Sequence, residues 1–148
     1  METLPKKILA SGLLALAMAT ALLACKKDKA TDLSGNYTIA NNKALELQPN
    51  GQTAVQLAVT AIEDTRCPPN AYCAVAGWGK ATLTIKDRSI AKEKKLTLYT
   101  GYNLPKVQKD MAKININGSS YIIQLRDITP YPGVHTSEKT VQLTLSKL

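Results

Sequence analysis

From residue 55 onward, apolar and polar positions take turns along the chain. Val55, Leu57, Val59 and Ala61 interleave with Gln56, Ala58, Thr60 and Ile62, and Ala81, Leu83 and Ile85 with Thr82, Thr84 and Lys86. Leu96 and Leu98 flank Thr97, Ile114 and Ile116 flank Asn115, and Val141, Leu143 and Leu145 interleave with Gln142, Thr144 and Ser146. A period of two sends successive side chains to opposite faces, which predicts strands with one buried and one wet face. β-Branched residues and Tyr are frequent in these runs, as strands prefer. Turn residues separate them. Pro49-Asn50-Gly51 should reverse the chain, and Asn117-Gly118 should close a hairpin, because both of its residues tolerate positive φ. Gly101 and Pro105 should break the chain, and Pro130 and Pro132 should end a strand at Ile128. No helical stripe follows the first two dozen residues. The pattern predicts an all-β fold over 35–148, an antiparallel β-sandwich or barrel of about seven to eight short strands. With no Phe and one Trp, its core must be aliphatic.

The first 24 residues follow another rule. Lys6 and Lys7 precede an uncharged stretch from Ile8 to Ala24, and Leu22-Leu23-Ala24 lead to Cys25. A basic start, an apolar middle and small residues before a cut describe a secretory signal peptide. Leu-Leu-Ala-Cys resembles a bacterial lipobox. The resemblance implies that Cys25 is acylated and becomes the new N-terminus, with Leu22 in the peptidase's apolar pocket and Ala24 at the cut. The expectation is a chain tethered to a membrane by covalent lipid. Lys26 rather than Asp follows the cysteine, so the expected address is the cell envelope, at the outer membrane. The polar run 25–34 is too poor in apolar residues to order itself and should be a flexible linker.

Charge and size narrow the picture. The net charge is +8 by count, and removing 1–24 takes away Lys6, Lys7 and Glu2, leaving +7. Outside the cytoplasm, anionic lipid or acidic glycan is the natural counter-surface. No aromatics interleave with the lysines, as stacking on nucleotides would need, so no nucleic-acid partner is expected. The densest basic run, Lys92-Glu93-Lys94-Lys95, should be a solvated loop. The mature chain suffices for one domain with its own core.

Cys67 and Cys73 remain once Cys25 is lipidated. In an exported protein an even pair is a disulfide by default. Zinc would want four ligands at short spacings, but Cys-x5-Cys has no second pair and His135 is the one histidine. Pro68 and Pro69 argue against the helix N-terminus of a redox motif. Elsewhere the chemistry is sparse. His135 lies too close in sequence to Ser137 and Glu138 for a triad. Glu63 and Asp64 should point to opposite faces of a strand. No calcium loop or glycine-rich phosphate loop is present. No catalytic residue, metal or cofactor is expected, and the chain does not read as an enzyme.

The segment "EDTRCPPNAYCAVAG", residues 63–77, resembles a motif of small secreted and lipoprotein β-domains of bacteria, especially Bacteroidota. There an acidic residue precedes Ser/Thr-Arg-Cys-Pro, a second cysteine follows, and Ala-Gly closes the segment. "IIQLRDITPYPG", residues 122–133, resembles the same proteins' closing strand. The family pattern commonly has Trp two residues after the second cysteine; here Val75 stands there and Trp78 lies just beyond Gly77. The resemblance implies the disulfide and a β-domain, and no catalytic residue. Arg66, Tyr72, Trp78 and Tyr131 are the candidate contact residues. Arg66 could meet a ligand, or pair with Asp64 to fix the loop, and the structural role is the favoured one. The function expected is a lipid-anchored, non-catalytic binding or accessory module whose partner is an envelope protein or acidic glycan. The alternative is an inhibitor of a secreted enzyme, such as a protease, acting through the disulfide-closed loop.

Overall fold

The computed structural model describes residues 32–48, 55–88, 90–102, 104, 106–107, 109–134 and 138–148. Cys25, most of the expected linker, the Pro49-Asn50-Gly51 turn, Pro105, His135 and Ser137 lie outside the described residues.

Eight strands follow one another: β1 (Gly35–Ala40), β2 (Ala44–Leu47), β3 (Val55–Asp64), β4 (Gly79–Asp87), β5 (Lys92–Thr100), β6 (Met111–Ile116), β7 (Ser119–Thr129) and β8 (Thr140–Lys147). They form two four-stranded antiparallel sheets, ordered β1-β8-β7-β6 and β2-β3-β4-β5. The sheets pack face to face as a sandwich. No helix occurs among the described residues. The core between the sheets is aliphatic, as the composition requires: Val55, Leu57, Val59, Leu83, Leu98, Ile123, Ile128, Val141, Leu143 and Leu145 are buried, with Tyr121 as its one aromatic. The Asn117-Gly118 turn joins β6 to β7 with both residues at positive φ (48° and 74°), as two-residue hairpins demand.

Three expectations need correction. The alternation in β3 does not continue to Ala61. The register against β4 slips between Val59 and Ala61, so Thr60 is an extra residue. Beyond it Ala61 and Glu63 face solvent while Ile62 and Asp64 turn toward the interior. A bulge reverses the phase because the side-chain period is two. Likewise Lys92–Lys95 is not a loop but the start of β5, an edge strand, with its charged residues exposed. Lysines on an edge discourage pairing with another sheet, and Lys86 pairs with Glu93 across the ladder at 3.3 Å. Third, order begins before Gly35. Leu33 is buried in the core, its amide donates to the Tyr121 hydroxyl (3.3 Å), and its carbonyl accepts from Tyr37 (2.7 Å). The domain therefore takes in residues 32–34, the end of the expected linker, because one apolar side chain finds a place between the sheets.

The sandwich has two distinct ends. At one, Leu33 enters and the Asn117 amide donates to Asp87 Oδ2 across the sheets (3.1 Å). At the other, β3 and β4 extend into the segment closed by Cys67 and Cys73, beside the connection from β7 to β8.

Candidate functional site: the stapled hairpin tip

Cys67 and Cys73 form a disulfide with Cα atoms 5.9 Å apart, inside the range such bonds require. The ladder of β3 and β4 runs on beneath it. The Thr65 amide donates to the Trp78 carbonyl (2.8 Å) and the Cys67 amide to the Ala76 carbonyl (3.0 Å). Above the disulfide a turn closes from the Ala71 amide to the Pro68 carbonyl (3.1 Å). Residues 69–76 are all exposed, so the segment projects as a braced hairpin tip. Replacing both cysteines by Ala should lower stability by about 2 kcal/mol, the loop entropy of so short a closure. Chemical denaturation of the double variant checks this; an unchanged midpoint would mean the hydrogen-bonded ladder alone holds the tip.

Arg66 is the hub below the tip. It is only 5% exposed. Its Nε and Nη2 fork onto Asp64 at 2.8 and 3.0 Å, Nη1 donates to Asp127 Oδ1 at 2.6 Å, and Nη2 also donates to the Ile128 carbonyl. Asp64 in turn accepts from Lys139 Nζ at 2.8 Å, which donates as well to the Pro130 carbonyl at 2.7 Å. The Tyr131 ring lies over the guanidinium, 3.9 Å from centroid to carbon. A planar guanidinium suits this task, since its fixed fork can reach two carboxylates and a carbonyl at once. Asp64 belongs to the β3–β4 sheet, and Asp127 and Ile128 to β7 of the other. Arg66 therefore ties the two sheets together at this end. Its guanidinium is committed to these partners, the arrangement that the structural role expected of it requires.

The electrostatics follow from the geometry. Burial pushes the Asp64 carboxyl up, but hydrogen bonds from Arg66 and Lys139 and the charge of Arg66 outweigh it and hold it below the usual carboxylate range. Burial also works against the charge on Arg66, and Asp64 with Asp127 overcomes this, so the guanidinium stays protonated throughout the accessible pH range. Among the described residues no group of three or more His, Cys, Asp or Glu could hold a metal ion.

The four candidate contact residues do not form one cluster. Tyr72 stands fully exposed on the tip. Trp78 packs its edge against Tyr99, with centroids 5.7 Å apart at 73°. Tyr131 is 39% exposed with one face on Arg66. Sequence reasoning did not single out Tyr102, which is exposed and separates two adjoining clefts. One, of about 380 Å³, runs between Gly77, Tyr102, Arg126 and Tyr131; the other, of about 370 Å³, between Val75, Trp78, Tyr102 and Leu104. Val75 is exposed on the second cleft's wall. Asp127 and Lys139 were also not singled out as partners of Arg66. A signal for Asp127 existed, since it lies in "IIQLRDITPYPG". The segments 63–77 and 122–133 meet in space at Arg66.

Comparison with protein-family models, curated proteins and solved structures finds no match for this chain.

Proposed function

We propose that the protein is a lipid-anchored, non-catalytic binding module of the cell envelope, with the stapled tip and its flanking clefts as the contact surface. The observation that carries this is the placement of the tip. Tyr72, Val75 and Tyr102 are exposed around it, at the end of the sandwich opposite Leu33. A chain held by lipid at Cys25 would thus present them away from its membrane. Binding loops carried on a rigid sandwich are a common arrangement, and a disulfide with an underlying ladder limits the ordering cost of association. Tyr is favoured at such surfaces because it offers large area with few rotatable bonds.

Two variants test separate halves of the proposal. Cys25→Ser should abolish incorporation of labelled fatty acid and release the chain from the membrane fraction. Continued pelleting with incorporated label refutes the anchor. Tyr72→Ala combined with Val75→Ala should remove photo-crosslinked partners from intact envelopes while the melting temperature stays put, since neither side chain is buried. Unchanged crosslinking at native stability refutes the surface.

The inhibitor reading has one observation in its favour, the uninterrupted exposure of residues 69–76. The turn at Pro68–Ala71 means that a target cleft would receive a compact wedge rather than an extended strand. Under this reading the partner lost from Tyr72→Ala would be a hydrolase, and its activity would fall when the intact chain is added.

A further inference from the structure

The end of the sandwich where the chain enters carries a feature unrelated to the tip. Ile90, in the four-residue turn between β4 and β5, is 64% exposed, and Leu148, after β8, is 62% exposed. The Leu148 amide donates to the Ser120 carbonyl, which places it near the β6–β7 hairpin at this same end. Turns draw on Gly, Asn, Asp and Ser.

Beside Ile90 a cleft of about 290 Å³ opens between the edge strands β5 and β6. Ile85 and Ile114 line its floor with the buried Asp87, which accepts from the Asn117 amide, and the exposed Lys92 and Lys94 stand at its rim. Register explains the lysines. Lys94 lies opposite Ile85 and Lys92 opposite Asp87, so both continue the inward-facing row of Leu98 and Leu96. Lys94 reaches over the mouth to within 3.3 Å of the Lys113 carbonyl on β6. Inward-pointing charges can guard an edge against pairing, but that role needs no exposed isoleucine next to them. An aliphatic side chain flanked by lysines is what a membrane interface accepts, with apolar atoms at the acyl boundary and ammonium groups among phosphates.

We infer that this end is a membrane-contact surface. Ile90 enters the headgroup–acyl boundary, and Lys92 and Lys94 bind the headgroup of an anionic phospholipid over the cleft. The inference rests on the lipid-anchor reading for its source of lipid. The seven residues 25–31 reach at most roughly 25 Å when extended, so a chain acylated at Cys25 keeps this end close to its bilayer. The lysines supply charge complementarity, and a basic residue near an anionic surface strengthens contact about fivefold.

The test uses the mature lipidated chain in phosphatidylcholine vesicles, with or without phosphatidylglycerol, each carrying chain-brominated lipid. Ile90→Trp places a reporter at the contact, and the wild-type chain, whose Trp78 lies at the opposite end, supplies the background. Quenching at residue 90 should be several-fold stronger with phosphatidylglycerol. It should weaken in high salt and vanish in Lys92→Gln/Lys94→Gln, whose melting temperature is measured alongside. Equal quenching in both vesicles, or quenching that survives the lysine changes, overturns headgroup recognition. Flotation without quenching at residue 90 overturns the contact and leaves the anchor standing. Failure to float overturns both. Concentration-dependent protection of residue 90 in the absence of lipid would instead assign the surface to a second copy of the chain and overturn the inference.

Discussion

Replacing Arg66 by Ala is expected to lower the stability of the domain by about 3–5 kcal/mol, the usual consequence of stripping one partner from a buried ion pair. For a domain of this size that is a fall of roughly 10–25 °C in melting temperature. The loss is large because the guanidinium serves both sheets. Without it Asp64, whose side chain is fully buried, keeps only Lys139 and the long bond from the residue-66 backbone amide (3.3 Å), and the Ile128 carbonyl loses a donor. Asp127 is a third exposed and can turn to water, which keeps the effect from growing further. Arg66→Lys should recover little, since one ammonium cannot fork onto Asp64 while reaching β7. The clamp also sets the acid limit. Asp64 has a depressed carboxyl pKa in the folded state, against about 3.9 unfolded. Its contribution is therefore complete above that value and lost as pH falls through the depressed one. Thermal melts of the native chain should decline as pH drops below about 4, and the decline should be shallower in Arg66→Ala. An Arg66→Ala domain as stable as the native one would show that the clamp is neutral to folding.

Gly77→Ala should be as damaging for a different reason. Gly77 has a φ of 68°, in the left-handed region that costs an alanine about 1 kcal/mol or more. A Cβ there would also lie 2.0 Å from the Thr65 carbonyl oxygen. That atom belongs to backbone, so the strands must part. Backbone strain and forced displacement together suggest about 2–5 kcal/mol. Because the Cys67–Ala76 and Thr65–Trp78 bonds flank this position, the damage should start at the tip. Hydrogen exchange should show the Thr65 and Cys67 amides losing protection before the central amides of β7 and β8. Uniform loss, or none, would contradict the placement of Gly77 at this contact.

How much of the domain was legible beforehand depends on the range of the forces involved. Alternation in β4, β6 and β8 and the Asn117-Gly118 turn are local signals, and each corresponds to an observed element. The disulfide needed only a count of cysteines and the expectation that the chain is exported. The adjacent pair Glu63 and Asp64 was expected to split between faces, and it does, with Glu63 on Lys80 at 2.5 Å and Asp64 inside. What misled was also local. Lys92–Lys95 has the charge of a loop, but the ladder with β4 extends through it because backbone hydrogen bonds and the partner strand outweigh side-chain polarity at a sheet edge.

The chain by itself determined a β-domain with an aliphatic core, its hairpin and its staple, and it drew attention to the segments 63–77 and 122–133. Its tertiary structure alone decided how those segments relate. The bulge at Thr60 shifts the phase of β3 so that Asp64 turns inward. Only when the sheets pack do Asp127, Ile128 and Tyr131, some sixty residues further on, close around Arg66. A period of two shows which residues can share a face of one strand, but an ion pair between sheets depends on which strands become neighbours. That is set by burial summed over the whole core, and no short stretch of sequence contains it.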